Sequence, residues 1–314
     1  MSHINSPQFL GRAVMYQAKP NDCFIHGMNL LCLRADRQKI DPAYAAAYFQ
    51  TQTFKRQVNK IAKKSVNQAS FSTTALKDLT IPICNLRNQG EIANRFASIS
   101  ALMDDCERQL STLDDLVKSE FVEMFEGVDK VVELGEVCKF VSGKSLPKEI
   151  ELPNGDCLYA KVGDLNLDGN ERLITRSRTY VSFESAKGSL IPSGAVVFPK
   201  RGGAIGTNKK RITALNCCLD LNLMAVIPSS LVATEYLYWF FRLIDLNKIA
   251  NGSTVPQINN KDLRPLRFPL PPLALQQQFA DFVAEVDKLR FDCCREIVCC
   301  GVLFSSMSAS LLCT

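Results

Sequence analysis

The chain has 314 residues, 46% hydrophobic and 22% charged, an ordinary balance for a folded protein of about two domains. No run of about 18 apolar residues occurs, so no membrane-spanning helix is expected, and MSHINSPQFLGRAVMYQ lacks the charged start and apolar core of a signal peptide, so a cytoplasmic protein is expected. The net charge is +5, and the 13 cysteines follow no spaced framework, which predicts reduced thiols.

In chain order, DPAYAAAYF (Asp41 to Phe49) predicts a first helix. From Asp41 to Asp78 the intervening chain carries no acid but holds Lys55, Arg56, Lys60, Lys63, Lys64 and Lys77. A polyanion would be drawn to such a stretch, although a single basic run is more often a solvated face. After Pro82, apolar residues at Ile92, Phe96, Ile99, Met103, Cys106, Leu110, Leu113, Val117, Phe121 and Met124 step by threes and fours. That narrow stripe predicts a long coiled-coil helix. Its surface is acid-rich from Glu91 to Asp129.

The stretch from Val131 to Phe268 is rich in turns and strands. GDCLYAKVGDL, SGAVVFPKRG and CCLDLNLMAVI predict β-strands between glycine-bearing turns. SLVATEYLYWFFRLIDLNKIANG predicts a helix with Thr234 as its N-cap and Gly252 just past its end. Between them PKRGGAIGTNKKR reads as a binding loop, in an acid-free stretch from Ser185 to Leu219. Its glycines let backbone approach a ligand, and Lys200, Arg201, Lys209, Lys210 and Arg211 would meet phosphates or guanine edges. A basic hairpin without a ligand explains the loop about as well. Thr254, Gln257, Asn259 and Asn260 offer further hydrogen-bonding side chains, which a capped turn would also account for. The proline junction returns at Pro269, Pro271 and Pro272, and a second stripe follows at Phe279, Val283, Val286, Leu289, Cys293, Ile297, Cys300, Phe304, Met307 and Leu311. Each helix should run about 35–40 residues, or roughly 55–60 Å.

These elements form a duplication. Lys77-Asp78-Leu79 matches Lys261-Asp262-Leu263, and Pro82 matches Pro269. KIAKKSVNQ matches KIANGSTVPQ, DPAYAAAYF matches ATEYLYWFF, and Asn29-Leu30 matches Asn222-Leu223. The same order in both copies gives two units, each a globular part followed by a rod, with the prolines setting an extended entry to each rod. The glutamines and Asn88 would meet free amides in the first helical turns. The first unit lacks a counterpart to residues 131–193.

Catalytic chemistry is not visible. Only His3 and His26 are present, there is no Walker sequence, and neither DPPY nor NPPY occurs. In CCREIVCC, Cys293 and Cys300 would share a helical face as small core residues, and the spacing is wrong for zinc. No catalytic or metal-binding residue is assigned.

The order SGK (Ser142 to Lys144), AKVGDL (Ala160 to Leu165), KRGGAIG, LNL (Leu221 to Leu223), NGSTVPQIN (Asn251 to Asn259) and PLPPLALQQQ resembles the specificity subunit of type I restriction-modification systems. The second unit carries the full set and the first only its later part. The resemblance implies an α+β protein, with mixed α/β target recognition domains joined by two long antiparallel coiled-coil helices. The expected division is a partial first recognition domain over 1–83, a central helix over 84–127, a complete second domain over 128–270 and a C-terminal helix over 271–314. The expected DNA contacts are Lys144, Lys161, Lys200, Arg201, Gly202, Gly203, Lys209, Lys210, Arg211, Thr254 and Gln257. Expected partners are double-stranded DNA, methyltransferase (modification) subunits and restriction subunits, and a homodimer would restore symmetry to the shortened first unit. S-adenosylmethionine, ATP and Mg would belong to the partners, with no cofactor on this chain. The competing expectation is a truncated or silent form that acts only as a coiled-coil scaffold.

Overall fold

A computed structural model of the chain describes residues 1–17, 19–252 and 255–310, with side chains through 306. It divides into two compact units, Met1–Thr112 together with the chain from Leu289, and Leu113–Lys288.

Unit 1 begins with β1 (Ile4–Asn5), followed by helices α1 (Pro42–Gln50) and α2 (Gln52–Ile61), strands β2 (Lys63–Lys64) and β3 (Ala69–Ser70), and helix α3 (Thr73–Lys77). The three strands form one antiparallel sheet with β3 in the centre. Local chemistry sets the helix starts. The Asp41 carboxylate accepts from the amides of Ala43 (2.7 Å) and Tyr44 (3.1 Å), and Pro42 occupies the first turn. Thr51 and Ser72 cap α2 and α3 in the same way. Leu10, Tyr48, Phe54, Val58 and Phe71 form the core beneath them.

The long helix α4 spans Leu86–Phe125. Unit 2 continues with β4 (Val131–Glu133), α5 (Leu134–Val137), β5 (Cys138–Ser142), β6 (Cys157–Ala160), β7 (Leu173–Ile174), β8 (Tyr180–Val181) and α6 (Phe183–Ala186). Then come β9 (Val196–Pro199), β10 (Arg211–Thr213), β11 (Cys217–Leu219), β12 (Leu223–Pro228), α7 (Thr234–Leu243), α8 (Asn260–Leu263), β13 (Arg267–Pro269) and the long helix α9 (Leu273–Ser310). The main sheet has the order β5-β12-β9-β10-β7, antiparallel except for the β10–β7 pair. Its apolar runs are buried on both faces, and the two-residue period sorts them. Val196, Phe198, Ile212, Met224 and Val226 pack with Tyr236, Leu237, Trp239 and Phe241 of α7 and with Phe121, Phe125, Phe279 and Val283 of the long helices. Ala195, Val197, Leu223 and Ala225 pack the other way, against Leu158, Ala160 and Leu219 of the small sheet β11-β6-β8. Each large side chain so buried contributes about 1.5–3 kcal/mol.

The two long helices are antiparallel in each unit. In unit 1 the Phe96 and Phe304 rings meet at 4.6 Å, the Cys106 thiol donates to Glu296 (3.3 Å) and the Cys293 thiol donates to Gln109 (3.2 Å). In unit 2 Phe279 meets Phe121 at 5.2 Å and Phe125 at 5.6 Å. All ten stripe positions expected on α4 are at least half-buried. On α9 one differs. Leu289 is 54% exposed, because the seam takes its four-residue step first, from Val286 through half-buried Arg290 to buried Cys293. The Met307 side chain and Leu311 lie outside the described residues. Cys293 and Cys300 are buried while Cys294 and Cys299 are exposed, the division expected for one helical face.

The duplication is written in hydrogen bonds. Gln89, fully buried near the start of α4, accepts from Asp41 N–H (2.8 Å) and donates to the carbonyls of Lys39 (3.1 Å) and Cys84 (2.7 Å). Gln276, fully buried near the start of α9, accepts from Ala233 N–H (2.8 Å) and donates to Leu231 (3.1 Å) and Pro271 (2.9 Å). Tyr44 and Tyr236 donate to the carbonyls of Pro82 and Pro269, both at 2.8 Å. The glutamines therefore tie the start of α4 back to the N-terminal end of α1, and the start of α9 to that of α7, rather than capping free amides of their own first turn.

The helix expected to run on towards Gly252 ends at Leu243. Its N-cap is Ala233, and the Thr234 hydroxyl donates instead to Gly194 O (3.1 Å). The chain leaves α7 because the Lys210 ammonium takes the Ile244 carbonyl (2.7 Å) and Asp245 opens a separate turn by accepting from Asn247 N–H (3.0 Å). Among the described residues no helix is long and apolar enough to cross a membrane.

Candidate nucleic-acid interface

The site grows from the end of β9. Lys200 donates its N–H to Asn222 O (2.8 Å) and accepts at its own carbonyl from Ile258 N–H (2.9 Å). Arg201 forms an antiparallel bridge with Gln257, and Gly202 N–H donates to Pro256 O (2.8 Å). Gln257 in turn exchanges both backbone bonds with Asn251, each at 2.8 Å. The Asp262 carboxylate holds this turn by accepting from Asn251 Nδ2 (2.6 Å) and Asn259 N–H (2.8 Å). Arg201 is thus fixed through its backbone while its side chain is exposed and has no partner among the described residues. Gly202 has φ +71°, a conformation that favours glycine, and a Cβ at Gly202 or Gly203 would meet nothing within 4 Å. The surface here is open. The loop then forms a 3-10 turn, Gly202–Thr207, within the long connection of the antiparallel β9–β10 hairpin, and the turn is closed by Asn208 in the left-handed region at φ 52°.

The expected contacts occupy different environments. Lys144 is exposed and its ammonium donates to Gly188 O (3.0 Å). The Gly143 beside it is demanded by crowding, since a Cβ would lie 2.0 Å from Asp220 O. Lys200 is half-buried and donates to the Ser142 hydroxyl (2.9 Å); burial and the neighbouring Arg201 push its pKa down. Lys209 donates to the Asn166 side chain and keeps its charge uncompensated by any acid among the described residues. Gln257 is half-exposed, and Thr254 lies outside the described residues.

Two expected contacts are corrected. Lys210 is 1% exposed, donating to Asn208 Oδ1 and Ile244 O (both 2.7 Å), and burial followed by the nearby Arg242 pushes its pKa down to about 8. Arg211 is 8% exposed and donates to the carbonyls of Lys210 (2.8 Å) and Leu165 (2.9 Å). Both charges serve the fold, because a buried cation must find internal acceptors. Lys161 is partly committed too. Its ammonium bonds both Glu151 carboxylate oxygens (2.8 and 2.7 Å), which raises its pKa, and lies 5.0 Å over the Tyr159 ring.

Sequence reasoning passed over Arg176 and Arg178. Both are exposed and border the turn that holds Lys209's partner Asn166. That turn is rigid. Buried Asp164 accepts from Lys161 N–H (2.9 Å), the Ser177 hydroxyl (2.9 Å) and Arg178 N–H (3.3 Å), and buried Asn170 bonds the carbonyls of Asp164 and Arg176 (both 2.8 Å). Their i, i+2 spacing in TRSRTY was the available signal. Exposed guanidinium and ammonium groups on fixed backbone can grip phosphates, and a guanidinium can also pair bidentately with guanine O6 and N7.

Residues 128–297, more than half of the chain, match the type I restriction modification DNA specificity domain. The chain belongs to this family of specificity subunits, which are non-catalytic DNA-binding components of type I restriction-modification systems. It is 28% identical over 315 residues to a protein of Methanocaldococcus jannaschii named as the type I restriction enzyme MjaX specificity subunit, across 92% of this chain and 71% of that one. Its fold is similar to the crystal structure of the type I system S subunit from M. genitalium, with 15% identity, a TM-score of 0.55 and coverage of 88% of this chain and 74% of that one. It is also similar to a structure described for the complex assembly and conformational transition of the type I R-M system, with 18% identity, a TM-score of 0.51 and coverage of 89% and 73%.

Proposed function

We propose that this chain selects the DNA sequence on which a type I complex acts, reading part of a split target with unit 2 and docking modification subunits along α4 and α9. The observation that carries the reading is Arg201, an exposed guanidinium on a backbone platform bonded from both sides. Lys144, Lys209, Arg176 and Arg178 supply further cations for phosphates. The exposed acids of α4, among them Asp104, Asp105, Glu107 and Asp115, repel a polyanion and leave that helix to protein partners. In this reading residues 1–83 and 128–270 are the recognition regions, and 84–127 and 271–314 are the rods. Methyl transfer, DNA cleavage and their cofactors belong to the partner subunits.

The test is co-expression with a modification subunit in a host lacking DNA methylation, followed by genome-wide mapping of methylated adenine. A split motif is expected. A stable complex that methylates no defined motif would overturn the proposal in favour of a scaffold.

A further inference from the structure

The platform that carries Arg201 recurs in unit 1 under a different sequence. His3 N–H donates to Asn29 O (3.1 Å) as Lys200 N–H does to Asn222 O (2.8 Å). Phe71 N–H donates to His3 O (3.1 Å) as Ile258 N–H does to Lys200 O (2.9 Å). Ile4 pairs with Ser70 as Arg201 does with Gln257, and a 3-10 turn follows in both, Pro7–Phe9 and Gly202–Thr207. Ile4 therefore stands where Arg201 stands, and His3 where Lys200 stands. The Ile4 side chain offers no donor, and the His3 ring is engaged with the carbonyl oxygens of Met28 (2.9 Å) and Phe71 (3.4 Å). The polar reading group of unit 2 has no equivalent here.

Positive charge lies instead on the adjoining α2–β2 segment. Phe54 and Val58 turn α2 inward, while Lys55, Arg56 and Lys60 remain exposed, and Lys63 and Lys64 of β2 are both exposed. None of these five pairs with an acid among the described residues, and residues 42–77 contain no Asp or Glu. The matching chain in unit 2, KIANG, has Asn251 and Gly252 where unit 1 has Lys63 and Lys64. One copy has thus kept a reading group and a neutral turn, while the other has an apolar platform and a run of free cations.

We propose that unit 1 is a sequence-indifferent phosphate clamp, in which Lys55, Arg56, Lys60, Lys63 and Lys64 hold the backbone of duplex DNA without reading bases. The inference rests on the DNA-binding function proposed above. Cations that neutralise phosphates add affinity for any duplex and release counterions, so they steepen salt dependence without adding sequence preference.

The experiment measures binding of the full chain to a pool of short duplexes of randomised sequence across a salt series, with sequencing of the bound fraction. Replacing Lys60→Ala, Lys63→Ala and Lys64→Ala together should make the log–log salt slope shallower by roughly 2–3 and weaken binding about 10- to 100-fold at about 0.1 M salt. The enriched sequences should stay the same. Arginine at the same three positions should restore both slope and affinity, which separates lost charge from lost folding. An unchanged slope and affinity in the alanine variant would overturn the clamp, and so would a changed set of enriched sequences. A wild-type chain that enriches no sequence counts against base reading by unit 2, and the salt slopes then still decide the clamp.

Discussion

Replacing Gln276 by leucine should unfasten α9 from the recognition fold of unit 2. Leucine keeps the volume and helix propensity but bonds none of the three backbone groups that the glutamine closes. Leu231 is exposed, so its carbonyl recovers water. The half-buried Ala233 amide and the buried Pro271 carbonyl find no such replacement. At about 1–3 kcal/mol for each stranded group, the expected loss is about 3–4 kcal/mol. Trp239, the single tryptophan of the chain, is 2% exposed in the core of unit 2 and reports on its unfolding. With a urea dependence of about 2 kcal/mol per M, the fluorescence midpoint should fall by about 1.5–2 M. A shift below about 0.5 M would refute the reasoning, since it would mean that the latch is dispensable or that water replaces it.

Arg201→Ala should weaken binding to the mapped motif by about 1–3 kcal/mol and relax selection at one base position, measured by competition with single-base variants; unchanged affinity and preference would remove it from the interface. The depressed pKa of Lys210, about 8 against an ordinary 10.5, makes the unfolded chain bind the proton more readily. Its penalty is therefore full below about pH 8 and fades as pH rises towards 10.5. The stability of wild type relative to Lys210→Met should accordingly rise across that window, by at most about 3 kcal/mol. A flat difference would show that the ammonium titrates normally. Thiol labelling near pH 8 should modify exposed Cys23, Cys32, Cys294 and Cys299 in the native chain. It should spare Cys138, Cys217 and Cys218, which burial pushes up to about 12. Rapid native labelling of those three, read by peptide mass spectrometry, would contradict the packing of the two sheets.

The elements legible in sequence were those whose periodicity and burial agree. The α4 stripe, the strands at 196–199 and 223–228 and the proline junctions all declare themselves, because long apolar patterns have few alternative uses. The site was legible only as a region. In NKKR three adjacent cations look alike, yet Lys209 stays half-exposed while Lys210 reaches the Ile244 carbonyl and Arg211 the Leu165 carbonyl. Those acceptors are distant in sequence, so no local pattern separates the three residues. Arg176 and Arg178 escaped notice for the opposite reason, as they lie outside the acid-free window that drew attention to the loop. The equivalence of Ile4 and Arg201 could not be read at all, because it resides in backbone partners rather than in side chains.

The antiparallel seam constrains how the chain can change in length. Partner numbers climb along α4 as they fall along α9, from Phe96 beside Phe304 to Phe121 beside Phe279. Deleting one residue of α4 turns everything beyond it by about 100° and points the next stripe residue away from α9. Three or four residues nearly restore the facing, and seven restore it almost fully. Insertions and deletions in these helices should therefore survive only in such quanta, and matched between the two. A change of length in one helix therefore calls for a matching change in the other.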